Sequence, residues 1–172
     1  MTKNIQRIHF VQAHQNDVPI VLKFLKEAAL WLREQGIDYW QDWINPPPLF
    51  LNWIQEGFDR GEFYLVYQHT EVIGCFRLQW QDELFWGSQA DNAGYIHSFT
   101  TSRSLVGQRK GEQVLALIEE YCRGQGKFFI RLDCGKAIHG LCRYYEAYGF
   151  REVGEATVMG EVLTLYEKSL VM

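Results

Sequence analysis

The sequence predicts an α+β (α/β) fold: a three-layer α/β/α sandwich around a mixed, mostly antiparallel central sheet. Paired β-rich runs occur before residue 80 and again after residue 150, as is typical of antiparallel hairpins. Between them, a strand, a helix and a second strand follow one another, as in a parallel βαβ unit. The 172 residues suffice for one core and are few for two, so we expect a single domain over 1–172.

The first third of the chain predicts a strand and two helices. Ile8–Val11 is a short apolar run suited to a strand. Asp17 is a candidate N-cap, and apolar residues at helical spacing follow it until Gly36. The prolines Pro46–Pro48 predict a stiff loop, and Leu49–Phe58 the helix after it.

The middle of the chain predicts a hairpin and a loop. Glu62–Gln68 and Glu71–Gln79 are β-rich and flank the turn His69-Thr70. Gln81–Asn92 is mostly polar and is expected to be a loop.

The second half predicts the βαβ unit, another helix and two closing strands. The predicted elements are the strand Tyr95–Thr101, a glycine turn at Val106–Gly111, the helix Glu112–Gly124, the strand Phe128–Asp133, the helix Ala137–Tyr148 ending at Gly149, and the strands Arg151–Gly154 and Val158–Glu167.

Composition excludes several classes of protein. A net charge of −4 and a pI near 5.7 argue against nucleic acid or an anionic membrane surface as the main partner. No apolar run approaches the ~20 residues of a membrane-spanning helix. Met1–Arg7 holds no apolar leader segment, so we expect a cytoplasmic protein. The four cysteines form no CxxC pair, which predicts reduced, buried thiols and no metal.

The turn Val106–Gly111 is a candidate phosphate site. A strand that leads through a turn into a helix N-terminus presents backbone N–H groups to an anion. Arg103, Arg109 and Lys110 add positive charge in the same stretch. Together with a tyrosine later in this half of the chain that could donate a proton, the turn suggests a transferase that uses a phosphorylated carrier.

This turn and the helix face after it (Val114, Leu115, Ile118 and Cys122) resemble the pyrophosphate loop of the GCN5-related N-acetyltransferase family, usually written Q/R-x-x-G-x-G/A. The resemblance covers most of the chain. It is also carried by Ala93–Phe99, Arg131–Cys134, Tyr144–Phe150 and the stretch from Trp31 to Trp40.

Three positions depart from the family pattern. With Gly111 as the last glycine, Val106 stands where Gln or Arg is usual and Arg109 where the central glycine is usual. Ile138 stands where many members carry an Asn that touches the cofactor arm. A register shifted by two restores Gln108 but fits the following helix less well. If φ at position 109 is negative, Arg109 and Lys110 can add contacts to phosphate; alternatively, Arg109 fills the pyrophosphate space and CoA does not bind.

The resemblance implies an acetyl-CoA-dependent N-acetyltransferase that acts on a primary amine of a small molecule or peptide. It implies Tyr145, four residues before Gly149, as the general acid for the leaving thiolate. The alternative is a catalytically weak or inactive member that binds a ligand or a partner. The residues implied in acetyl-CoA binding are Phe99, Thr100, Thr101, Val106, Gly107, Gln108, Arg109, Lys110, Gly111, Glu112, Ile138 and Tyr145.

His97 is the candidate general base. On a regular strand it shares a face with Phe99 and Thr101, and a histidine titrates near neutrality. Tyr95, Glu83 and a chain of waters are its rivals.

Substrate recognition is expected from aromatic and acidic residues of the first half and of the loop 81–92. Trp40, Trp86 and Glu83, with Trp43 and Asp82, suit a pocket for a cationic amine. A third alternative is an interaction domain whose exposed aromatic residues form a homodimer surface.

Overall fold

A computed structural model describes residues 7–172; residues 1–6, which are part of the segment examined for a leader, lie outside the described residues. Within this range the strands are β1 Ile8–Gln12, β2 Phe63–Gln68, β3 Glu71–Gln79, β4 Ala93–Thr101, β5 Phe129–Gly135, β6 Arg151–Val158 and β7 Glu161–Ser169. The helices are α1 Val18–Glu34, α2 Pro48–Asp59, α3 Glu83–Trp86, α4 Lys110–Gly124 and α5 His139–Tyr148.

The described strands form one mixed sheet in the order β1-β2-β3-β4-β5-β7-β6. The pairs β1–β2, β2–β3, β5–β7 and β6–β7 are antiparallel, and β4–β5 is parallel. The fold is therefore α+β with a mixed, mostly antiparallel sheet, as predicted. None of the described helices combines the length and apolar character needed to cross a bilayer.

The described chain divides into two compact units. Unit 1 holds the described residues up to Arg77 together with Ser98–Leu117, and unit 2 holds Leu78–His97 together with Ile118–Met172.

In unit 1, β1, β2 and β3 form an antiparallel meander, and α1 and α2 contribute to an apolar core with Val21, Leu25, Ile54 and Phe63. Unit 1 also holds an ion pair in which the buried Arg77 guanidinium donates to Oε2 of the half-buried Glu62 at 2.6 and 2.8 Å.

Asp17 precedes α1 as predicted, but its carboxylate does not cap that helix. It accepts instead from the backbone N–H of His14 at 2.8 Å, because a short 3₁₀ turn at Gln15–Asp17 comes before α1.

In unit 2, β5, β7 and β6 are antiparallel neighbours, and the first residues of β4 pair with β5 in parallel. The buried apolar residues include Ile118, Cys122, Ile130 and Leu132. Helix α5 ends at Gly149, whose φ of 115° is favourable only for glycine.

Two sequence predictions for unit 2 are wrong in detail. The expected loop 81–92 contains the helical turn α3, because the Asp82 carboxylate accepts from the N–H of Phe85 at 3.4 Å. The expected break between two strands at 155–157 does not occur. The turn lies at Met159 and Gly160, whose φ values of 49° and 79° suit a two-residue hairpin.

Candidate active site

The segment between β4 and helix α4 contains a 3₁₀ turn at Arg103–Leu105, followed by the glycine turn that leads into α4. Gly107 has a φ of 84°, and an added Cβ there would meet nothing within 4 Å. The N–H of Gln108 donates to Leu105 O at 3.1 Å, which closes the turn just before α4 begins at Lys110. The first N–H groups of a helix have no acceptor within the helix. An open glycine beside the start of a 15-residue helix therefore fits an anionic group such as a pyrophosphate.

An arginine at position 109 would be unstrained if φ there were negative, but the structure shows a positive φ. The φ of Arg109 is 55°, so the position has the left-handed backbone that favours glycine. Its guanidinium donates to Glu112 Oε2 at 2.5 and 3.0 Å, and the Arg109 side chain is 77% exposed. The arginine charge is thus paired with the carboxylate in the first turn of α4.

The other residues implied in cofactor binding are distributed over both units. Thr100 is buried, and its Oγ1 has no hydrogen-bond partner, whereas the Thr101 carbonyl accepts from Arg103 at 2.7 and 3.1 Å. Lys110 is buried, while Val106 is exposed. Ile138 lies at the N-cap of α5, and its N–H donates to Gly135 O at 2.9 Å.

Strand β4 is irregular at Ser98, although the predicted shared face of His97, Phe99 and Thr101 requires a regular strand. Ser98 has a φ of 50°, which interrupts the extended backbone between His97 and Phe99. Side chains alternate between the two faces only along a regular strand, so His97 cannot be assigned to the face of Phe99 and Thr101 on that basis.

Tyr145 is buried on α5, and its position is fixed by aromatic packing. The Tyr145 ring lies 5.7 Å from the Phe150 ring and 6.4 Å from the Tyr166 ring. The Tyr166 hydroxyl donates to Glu146 Oε1 at 2.8 Å, and burial is the main cause that raises the Tyr166 pKa. The Tyr148 ring lies 6.0 Å from the Phe150 ring.

Unit 2 brings His97 between two carboxylates. His97 Nε2 lies 2.6 Å from Asp82 Oδ2, and His97 Nδ1 lies 3.7 Å from Asp133 Oδ2. The Phe85 ring lies 4.6 Å from the imidazole. Burial raises the pKa of Asp133 to about 6; the His97 charge lowers it, and Asp82 and Glu161 raise it further. Asp133 Oδ2 has no hydrogen-bond partner.

No sequence motif marks this cluster. The sequence predicts Asp82 only as part of an acidic pocket and Asp133 only as part of a strand. The available signal was the pair Arg131 and Asp133, two charged residues at alternate positions of an otherwise apolar strand. Partners so distant in sequence could not be assigned without the fold.

Asp82, His97 and Asp133 each offer one ligand atom, and these atoms lie within 4.8 Å of one another. The prediction that no metal binds is based on the absence of closely spaced ligand pairs in the sequence. That criterion does not detect a cluster whose members are far apart in the sequence. That prediction stays untested.

The residues expected to bind substrate differ in exposure. Trp86 is buried, with its ring 5.7 Å from the Tyr95 ring and 5.1 Å from the Arg131 guanidinium. Trp40 is half-buried and stacks on Tyr39 at 5.8 Å. Glu83 is exposed in the first turn of α3.

The rival base Tyr95 has a hydrogen bond within unit 2. Its hydroxyl accepts from Arg131 Nη1 at 2.7 Å, and Arg131 in turn donates to Glu167 Oε2 at 2.8 Å. This network links β4, β5 and β7, and in it the Tyr95 hydroxyl already accepts a hydrogen bond from Arg131.

The four cysteines are buried free thiols, as predicted. Burial raises the pKa of Cys122 to about 12 and raises that of Cys75 further. Cys134 and Cys142 approach to 3.1 Å between their Sγ atoms. Burial of Cys75, Cys122 and Cys134 disfavours a nucleophilic thiolate at these three positions.

The sequence profile of the acetyltransferase (GNAT) family matches residues 25–150, and the chain belongs to this family. No curated protein matches. A GNAT-family acetyltransferase from Listeria monocytogenes has a similar structure, with 24% identity, 98% of each chain covered and a TM-score of 0.77. PaiA N-acetyltransferase from Thermoplasma acidophilum, solved with coenzyme A, is 18% identical over 95% of this chain and 99% of that chain, with a TM-score of 0.65. At these identities the similarity shows the fold.

Proposed function

We propose that this protein is an acetyl-CoA-dependent N-acetyltransferase that acts on the primary amine of a small molecule or peptide. The observation that carries the proposal is the open turn at Gly107, which leads into the N-terminus of α4. Membership of the acetyltransferase family and the coenzyme A bound to PaiA support the choice of co-substrate.

The turn and the first residues of α4 would hold the pyrophosphate of CoA. Backbone N–H groups at a helix start bind anions, and the helix dipole adds to the attraction. The open space at Gly107 lets a phosphate approach the backbone. The proposed CoA-binding set remains Phe99, Thr100, Thr101, Val106, Gly107, Gln108, Arg109, Lys110, Gly111, Glu112, Ile138 and Tyr145.

Acetyl transfer requires a neutral amine, which attacks the thioester carbonyl carbon. A C–N bond forms, the C–S bond breaks and the CoA thiolate leaves. We assign Tyr145 as the acid that gives its proton to this thiolate. The proton that the new amide nitrogen loses then restores the tyrosine hydroxyl.

The ammonium group of the acceptor must first lose a proton. We assign this step to the cluster around His97, because its imidazole and two carboxylates lie together and shielded from solvent. Trp40, Trp86 and Glu83 remain proposals for substrate recognition.

A second function has one observation in its favour. Arg109 stands where the family pattern usually has a glycine, and its backbone has the left-handed conformation that favours glycine, but it carries a long side chain. This favours a catalytically weak member of the family that retains the fold as a ligand-binding or interaction protein.

Incubation with acetyl-CoA and a panel of amino acids, polyamines and peptide N-termini tests the proposal. We expect release of the CoA thiol and a mass increase of one acetyl group in the amines of one class. Heat-inactivated protein is the control. CoA binding without acetylation of any amine would favour the second function.

A further inference from the structure

The parallel strands β4 and β5 separate within unit 2. Their pairing runs from Ala93 with Phe129 to Tyr95 with Arg131 and does not continue past that pair. Ligands of open sheets commonly bind in the crevice at the carboxyl ends of parallel strands. The residues just beyond the last pair are therefore candidates for contact with a substrate.

His97 and Asp133 occupy this position. Each lies two residues beyond the last pair, which places it on the same face as Tyr95 or Arg131, respectively. His97 Nδ1 faces Asp133 Oδ2 at 3.7 Å, and the Asp133 side chain is only 9% exposed. The strands thus present an imidazole and a carboxylate to each other where the ladder opens.

The two ring nitrogens of His97 are both directed at carboxylates. Nε2 contacts Asp82 at 2.6 Å, and Nδ1 faces Asp133. A protonated ring can therefore donate toward both, which orients it but does not direct a nitrogen at a substrate amine. This geometry suits His97 to a positioning role.

Asp133 Oδ2 is the polar atom of this cluster that has no hydrogen-bond partner. A buried carboxylate oxygen without a donor is costly, and a bound ligand with N–H groups would supply one. The charged groups around Asp133 are His97 on β4, Asp82 before α3 and Glu161 on β7. The carboxylates of Asp82 and Asp133 leave the cluster negative even when the imidazole is protonated, and Glu161 adds negative charge nearby, so the cluster favours a cation.

We propose that Asp133, through Oδ2, binds the ammonium group of the acyl acceptor and accepts its proton, with Asp82 and His97 as positioning residues. The catalytic part of this inference rests on the proposed function. An N–H bond of the ammonium breaks, its electron pair stays on nitrogen for attack on the thioester, and the proton forms an O–H bond on Asp133. Water removes that proton after the reaction. A carboxyl group whose pKa is raised to about 6 by burial is suited to this exchange.

A divalent metal is the competing occupant of the cluster. Asp82 Oδ2 and His97 Nε2 contact each other at 2.6 Å, which leaves His97 Nδ1 and Asp133 as the remaining donors. Zinc sites use three or four protein ligands. The geometry therefore favours an ammonium group.

NMR of the full chain labelled with ¹³C at the aspartate carboxyl carbons tests the proposal. The Asp133 signal is assigned by its loss in Asp133→Asn. It is then titrated with pH in wild type saturated with CoA, with and without ethylammonium chloride. The matched probes are tetramethylammonium chloride, which has no N–H group, and zinc chloride. Exposed Asp38 is the control signal.

Ethylammonium is expected to lower the Asp133 midpoint by about one pH unit or more, because a nearby positive charge favours the carboxylate. Tetramethylammonium should have little effect. No response of Asp133 to ethylammonium in CoA-saturated protein would overturn the inference, as would a response to micromolar zinc. A response to ethylammonium in protein that does not bind CoA would retain the ammonium site and reject the proposed function.

Discussion

His97 Nε2 lies 2.6 Å from Asp82 Oδ2, and the two side chains are only 9% and 3% exposed. Ion pairs shielded to this degree depend strongly on both partners, because loss of one leaves the other buried and uncompensated. The contact therefore bears on stability as well as on the proposed chemistry.

Asp82→Asn should lower the free energy of unfolding by about 1–3 kcal/mol, because it removes the charge that His97 faces and retains an oxygen that can cap α3. Urea unfolding at pH 6 measures this change. The control is Asp91→Asn, since Asp91 pairs with Lys127 but is 65% exposed. The control should change stability by less than about 1 kcal/mol. Equal effects of the two substitutions would contradict the interpretation.

Asp133 should make the protein less stable as pH rises through the acid range. Its pKa is raised from 3.8 to about 6 in the folded state, so the native state binds the extra proton between these values. The free energy of unfolding should fall by about 3 kcal/mol between about pH 4 and pH 6 from this group alone. Asp133→Asn removes this dependence. The stability of the variant relative to wild type should therefore increase with pH across that window.

Urea unfolding of both proteins between pH 4 and pH 8 measures this difference, with Asp38→Asn as an exposed control. A difference between Asp133→Asn and wild type that stays constant with pH would show that Asp133 has no raised pKa.

The pair Arg109 and Glu112 should set the affinity for CoA. Arg109 neutralises a carboxylate that lies in the first turn of α4, where a pyrophosphate would bind. Arg109→Gly should therefore weaken CoA binding about two- to fivefold, and Glu112→Gln should tighten it by a similar factor. Calorimetry of the two single variants and the double variant measures this. Affinity of the double variant near wild type supports the charge argument, whereas tighter binding by Arg109→Gly alone would show that the arginine obstructs the site.

Substitutions at position 109 also measure the cost of the left-handed backbone there. Arg109 has a φ of 55°, so glycine there should be about 1 kcal/mol more stable than alanine. Because both substitutions remove the ion pair with Glu112, their difference in unfolding free energy isolates the backbone. Equal stability of Arg109→Gly and Arg109→Ala would contradict the left-handed conformation.

Tyr145→Phe should reduce turnover about 100-fold or more while CoA affinity stays near wild type, because the hydroxyl acts on the leaving thiolate and the ring keeps its packing. Thiol release from acetyl-CoA with the acceptor found in the amine panel measures turnover. Tyr148→Phe is the matched control on the same helix. Unchanged turnover in Tyr145→Phe would remove Tyr145 as the acid.

Periodicity and turn residues were sufficient to predict the order of the main elements. The inward face of α4 is an example, since Val114, Leu115, Ile118 and Cys122 are all fully buried. The helix end at Gly149 followed from the same local rules.

What could not be predicted depends on tertiary structure. The helical turn α3 needs the Asp82 cap, and the same side chain contacts His97 fifteen residues away. Asp133 joins them only because β4 and β5 are neighbours. The positive φ values of Ser98 and Arg109 leave no signal in residue type, because serine and arginine rarely adopt this conformation.

Calorimetric titration of the wild-type protein with CoA tests the central claim most directly. The proposed function predicts saturable, one-to-one binding that is weakened for a CoA analogue lacking the pyrophosphate. Thermal melting should rise with CoA concentration, because a ligand that binds only the native state stabilises it. No heat of binding and no change in melting temperature at millimolar CoA would contradict the claim.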